Sequence, residues 1–185
     1  MQRLLAALLT LTSLPAVGQV VNPDFTTDTN GWSPFLDAGG GGSVGWDGTI
    51  GYPLPGSALA GNVFPGAHVD GWRQCVPFSA GDFALSAAVA SSLASGNSCR
   101  IKLDFIAIPD CVNGTPVELE AIAVNTRNDG TFETVGSAGA LPAGIQAVAL
   151  SLEHVHDKDA IAGDSTCHFD HILLDADTVF ADDFE

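Results

Sequence analysis

At 185 residues and 19.0 kDa, the chain is long enough for one domain with its own hydrophobic core. Hydrophobic residues make up 46% and charged residues 15%, the balance of a globular protein and not of a disordered one. Twenty-two acids against six bases give a net charge of −16, which repels nucleic-acid phosphates and anionic lipid surfaces and leaves cations, neutral sugars and basic partners.

The chain opens on a targeting signal. Arg3 supplies a positive start, Leu4 to Leu11 a short apolar run, Pro15 a break, and Ala16-Val17-Gly18 the small residues that a signal peptidase reads. Residues 1–18 are therefore expected to be a signal peptide cleaved near Gly18/Gln19, and the protein to be secreted or periplasmic. The apolar run is short of the roughly 20 residues that a membrane span needs, so no membrane insertion is expected. The body, 19–175, reads as one domain, and 176–185 as an acidic C-terminal tail.

The punctuation of the body is all-β. From 30 to 65 the chain is rich in Gly, Pro and Ser, with only short strand candidates. Clear strands follow at 71–78, 82–92, 99–108, 118–126, 131–135, 145–156 and 167–175. In 82–92, Phe83, Leu85, Ala87 and Val89 share one face. In 99–108, Ile101, Leu103 and Phe105 share one face while Arg100, Lys102 and Asp104 begin the other. Asn128-Asp129-Gly130 is a hairpin signal between the strands at 118–126 and 131–135. Short alternating strands at this spacing predict a β-sandwich jelly roll.

Export favours pairing of the four cysteines, for which three connectivities exist. If consecutive strands run up and down, Cys75 and Cys111 lie towards one end of the sandwich and Cys99 and Cys167 towards the other. The expected bridges are Cys75–Cys111 and Cys99–Cys167. A Cys99–Cys111 bridge is disfavoured, because twelve extended residues span roughly 40 Å and a disulfide needs Cα atoms within about 7 Å.

The ends of the body carry a family likeness. Residues 22–32, NPDFTTDTNGW, resemble the opening of carbohydrate-binding modules of the family 4/9 type, and residues 168–174, HFDHILL, resemble their closing strand. GWRQCVPFSAGDFALSAAVAS resembles their central segment. The resemblance implies a galactose-binding-like jelly roll, a carbohydrate partner and a structural calcium between the first and last strands, with Asp24 and Asp170 as the positions to watch. Thr26 stands where an acid often follows the Phe.

Three kinds of site compete. A sugar site needs an aromatic face and oriented polar groups, and Trp46, Tyr52, Arg100, Lys102 and Asp104 are the candidates, with Trp32 and Trp72 assigned to the core. A transition-metal site, the alternative metal reading, would draw on His154, His156 and His168, should the strands bearing them be neighbours. The 157–164 loop offers oxygen ligands without the spacing of a calcium-binding helix–loop–helix. No catalytic constellation is read: there is no nucleophile elbow, HExxH or phosphate-binding loop, and Glu118 and Glu120 share one strand face instead of opposing each other across a cleft. The expectation is a non-catalytic binding module, with a structural or cell-envelope accessory domain and a metal-binding protein as alternatives.

Overall fold

The computed structural model describes residues 19–37, 41–62, 66–78, 81–124, 127–157 and 164–175, without the side chains of 118–121 and 123–124. The expected signal peptide and acidic tail lie outside the described residues. Ten strands form two five-stranded sheets. The first sheet runs β1 (Ser33–Leu36), β4 (His68–Pro77), β9 (Ala147–His156), β6 (Asn97–Ile106) and β7 (Pro116–Val124). The second runs β2 (Gly42–Asp47), β3 (Ser57–Asn62), β10 (Ser165–Asp175), β5 (Asp82–Ser92) and β8 (Glu133–Ala140). All named pairings are antiparallel. The protein is an all-β sandwich of the jelly-roll kind. Among the described residues no helix is long and apolar enough to cross a membrane.

Alternation places the core. Ile101, Leu103 and Phe105 of β6 and Val148, Leu150 and Leu152 of β9 face Phe83, Leu85, Ala87 and Val89 of β5 and Phe169 of β10. Trp32 and Trp72 are buried as expected, and each indole N–H finds a carbonyl: Trp72 donates across the sandwich to Leu59 (3.0 Å) and Trp32 to Val21 (3.0 Å). Gln74 holds the N-terminal segment, accepting from the Val21 N–H (2.7 Å) and donating to its carbonyl (2.9 Å).

Both expected bridges are present, with Cα separations of 5.7 Å for Cys75–Cys111 and 5.8 Å for Cys99–Cys167. Cys99–Cys167 joins the two sheets through the core, where both residues are fully buried. The loop that follows β6 passes over β9 on the outer side to bring Cys111 to Cys75 of β4.

Two expectations change. Asn128 and Gly130 do take left-handed backbone, with φ of 59° and 78°, but the turn joins β7 of one sheet to β8 of the other instead of closing a hairpin. The turn is fixed to the end of β5: Gly130 N–H donates to Ser91 (2.9 Å), and the Asn128 side chain donates to the Leu93 carbonyl (2.9 Å). The strand expected at 71–78 begins three residues earlier, at His68, because β4 stays paired with β9 as far as His156.

The cross-sheet bridge closes a 68-residue separation, for which chain-entropy loss in the unfolded state is worth about 4 kcal/mol. Replacing Cys99 and Cys167 together by alanine is expected to lower the unfolding free energy by about that amount in urea, and by more than replacing Cys75 and Cys111, which lie at the surface.

Candidate functional site

The outer face of the first sheet carries an ordered set of polar side chains. Because β9 lies between β4 and β6, its outward residues meet both neighbours. Glu153 stands opposite Gly71 and Arg100, Ser151 opposite Arg73 and Lys102, and Ala149 opposite Cys75 and Asp104. Arg100 grips Glu153 through Nε (2.5 Å) and Nη2, Lys102 Nζ reaches Asp104 Oδ2 (2.9 Å), and Arg73 Nε donates to Ser151 Oγ (3.1 Å). The acceptors form a buried floor and the basic side chains lie over it: Glu153 is 3% exposed and Asp104 5%. Gly71 is required there, since a Cβ would meet the Leu152 carbonyl oxygen at 1.9 Å. Phe35 of β1, opposite Gly71, lies 5.3 Å from the Arg73 guanidinium. The Cys111 loop bounds this face at the Cys75 end.

Arg100, Lys102 and Asp104 therefore lie where strand alternation placed them, and the structure adds Arg73, Ser151, Glu153 and Phe35. The same alternation could have found Ser151 and Glu153, which flank the inward Leu152 in sequence.

Trp46 and Tyr52 do not join them. Trp46, 43% exposed, lies on the second sheet and donates its indole N–H to the Phe25 carbonyl (2.6 Å). Tyr52 lines a separate pocket of about 150 Å³ with Asp24, Thr26, Pro53, Leu54 and His171.

That pocket adjoins the carboxylates singled out for calcium. Asp170 is fully buried. Its Oδ2 accepts from the Tyr52 N–H (2.5 Å) and its Oδ1 from the His171 N–H (2.8 Å). Asp24 pairs with His171 Nδ1 at 2.7 Å. Calcium takes six to eight oxygens. Here both carboxylates hold protein partners, and among the described residues no third His, Cys, Asp or Glu ligand atom joins them in a group.

The histidines are redistributed. β9 and β10 lie in different sheets, so His168 does not join His154 and His156; it faces outward on β10, with its Nδ1 3.0 Å from Ser57 Oγ. Burial lowers its pKa, and Asp47 opposes that shift. His154 and His156 point inward and meet His68 and Asp70 of β4, which lie ahead of the strand expected at 71–78. Burial, with His68 and His156 beside it, pulls the His154 imidazole down to about 4; burial pushes the Asp70 carboxyl above the usual range. In the 157–164 loop, 158–163 lie outside the described residues, as do the side chains of Glu118 and Glu120.

With the geometry in view, comparison with solved structures is informative about fold. A family 61 carbohydrate-binding module (TmCBM61), solved with β-1,4-galactotriose, superimposes with a TM-score of 0.55 at 12% identity, covering 86% of this chain and 99% of that one. A cyclase from Fischerella sp. TAU gives 0.61 at 15% identity, with 88% and 98% covered. The enzymatically active domain of bacteriophage CBA120 tailspike protein 4 gives 0.60 at 13% identity; the match covers 85% of this chain but 21% of the tailspike. At such identities the likeness is one of fold, and the fold serves sugar-binding and catalytic proteins alike. No protein-family model and no curated protein sequence matches the chain.

Burial raises the Asp170 pKa to about 6, against the two N–H donors that favour its charged form. The folded state thus binds this proton more tightly than the unfolded chain does. Asp170 therefore adds stability as pH falls from above 6 towards 4 and withdraws it as pH rises through 6. Between pH 7.5 and 5 the gain is of order 1 kcal/mol. His154, pulled down to about 4, costs stability over the same fall in pH, so the increment is read as a difference: from pH 7.5 to pH 5 the urea unfolding free energy should shift by about that amount in favour of the wild type relative to Asp170→Asn.

Proposed function

We propose that the chain is an exported carbohydrate-binding module that holds an oligosaccharide against the outer face of the first sheet. The observation that carries this reading is the concentration of base there. Arg73, Arg100 and Lys102 stand on the two strands that flank β9, on one face of a chain of net charge −16, each set over an acceptor. Arg127, the other base among the described residues, pairs elsewhere with Glu133.

Sugar hydroxyls both donate and accept, and charged partners strengthen such bonds. A guanidinium carries five N–H donors, and Arg100 turns only part of its fork to Glu153. Phe35 at the edge offers an apolar ring for a pyranose face. The acids on this face are each tied to a base, which suits a fixed hydrogen-bonding surface better than proton transfer. The fold shared with a galactotriose-binding module supports the reading, as does the resemblance of both chain ends to the family 4/9 type. Two disulfides and the signal-like first 18 residues support export.

A second reading rests on a different surface. Trp46, Ile50, Tyr52 and Leu54 are all at least 40% exposed and close in sequence, which suits protein contacts of a cell-envelope accessory domain.

A glycan array followed by calorimetry separates the two. Arg100→Ala and Lys102→Ala are expected to weaken sugar binding about tenfold or more each, the scale of a charged hydrogen bond, while Trp46→Ala and Tyr52→Ala leave it unchanged. Loss of binding in the Tyr52 variant alone would move the site to the Asp24–His171 pocket, and no glycan bound by the wild type would end the carbohydrate reading.

A further inference from the structure

At the end of the sandwich opposite the Cys75–Cys111 bridge, the inward face changes character. Trp72, Leu152 and Ile101 give way along their own strands to Asp70, His154 and Cys99, and then to His68, His156 and Asn97. His68, Asp70, His154 and His156 are between 0% and 4% exposed. An isolated carboxylate and three imidazoles at that depth need partners. Asp70 Oδ1 has one, the Asp37 N–H at 3.1 Å. Asp70 Oδ2 and both ring nitrogens of His154 and of His156 have no hydrogen-bond partner among the described residues.

The arrangement of the atoms is that of a ligand set. His68 Nδ1 lies 2.6 Å from the Gly66 carbonyl oxygen, so it carries the proton, donates there, and leaves the lone pair on Nε2. That nitrogen touches the Asn62 amide and lies 3.4 Å from Asp70 Oδ2. Two bare acceptors at this distance repel, so a proton or a cation belongs between them. Ligand–metal distances of about 2.0–2.1 Å in a tetrahedron place neighbouring ligand atoms about 3.3 Å apart. One ligand atom from each of His68, Asp70 and His154 falls within 4.8 Å of the others, and His156, the third imidazole, is stacked on His68 at 4.8 Å beside that group. For His68 and Asp70 the outer partners follow the usual pattern as well: the spare histidine nitrogen on a backbone carbonyl, the spare carboxylate oxygen on a backbone N–H. Gly42 of β2 closes over the carboxylate, since a Cβ there would collide with Asp70 Oδ2 at 1.7 Å.

We propose that His68, Asp70 and His154 bind one zinc-class divalent cation, held between the two sheets as a structural centre, with His156 packed beside it. Imidazole nitrogen with a single carboxylate selects zinc or a neighbouring first-row ion over calcium and magnesium, which take oxygen. The centre is independent of the sugar reading, whose residues lie on the opposite face of the same strands.

The test uses untagged, disulfide-intact full-length protein, stripped with chelator and titrated with zinc, with calcium in parallel. One equivalent of zinc is expected to bind and to raise Tm by about 5 °C or more. Asp70→Asn and His154→Leu should abolish both effects, while His168→Gln and His171→Gln keep them. His154→Leu is the informative variant, because leucine removes the unpartnered ring nitrogens: a merely structural histidine predicts equal or greater stability together with unchanged zinc binding. Cobalt substituted into the wild type needs no variant, and should give the visible bands of a four- or five-coordinate ion. Less than about 0.2 equivalents of zinc bound, a featureless cobalt spectrum, a Tm rise with calcium alone, or wild-type zinc binding by His154→Leu would each overturn the proposal.

Discussion

The Cys99–Cys167 bridge is the fixed point of the molecule. It ties β6, an inner strand of one sheet, to β10, the central strand of the other, and it does so inside the core. Two twisted sheets packed through side chains alone can slide by a fraction of a residue as those side chains change rotamer. A covalent link between inner strands of the two sheets removes that freedom. It also sits at the boundary where the interior changes from aliphatic to polar, since Cys99 is the register partner of His154. The spacing that this bridge sets determines whether buried imidazoles from one sheet can stand against the second without collapsing onto it.

From that frame the two faces of β4, β9 and β6 take opposite roles. Their inward residues build the core and then the histidine layer, and their outward residues build the basic surface over Glu153, Ser151 and Asp104. One run of ten residues in β9, Ala147–His156, serves both: Glu153 and His154 are neighbours in sequence and belong to separate chemistries on either side of the sheet. A period of two makes this economical, and it also couples them, because a slip of one residue would exchange the two sets.

The sequence made the sheets legible wherever alternation was clean. Phe83 to Val89 and Ile101 to Phe105 announced both their strands and the side that is buried, and the outward placement of Arg100, Lys102 and Asp104 followed from the same pattern. The cysteine pairing was legible because strand direction constrains it. What could not be read was which strands are neighbours across the sandwich. His168 seemed a companion to His154 and His156 because both segments alternate, yet strand order put them in different layers. His68 and Asp70 escaped notice for a local reason: the Gly- and Pro-rich stretch before them reads as loop, and only pairing with the far end of β9 makes them strand. The Asn128–Gly130 turn shows the same limit, since turn chemistry fixes a reversal of the chain and leaves its destination open.

The last strand carries one irregularity of consequence. Between Asp170 and Leu173 the register against β5 slips, so that three steps along β10 match two along its partner, and His171 takes a φ of 50°. Uninterrupted alternation after Cys167 and Phe169 would aim Leu173 at the interior and turn Ile172 and Leu174 out. The extra residue inverts that phase, so Ile172 and Leu174 are buried while Leu173 stays at the surface. The strand can thereby devote Asp170 and His171 to clasping Tyr52 and Asp24, and still return its aliphatic residues to the core. Excision of His171 would restore plain alternation with Ile172 and Leu174 still facing the core, so the inserted residue serves the clasp on Asp24 and not the packing of the strand.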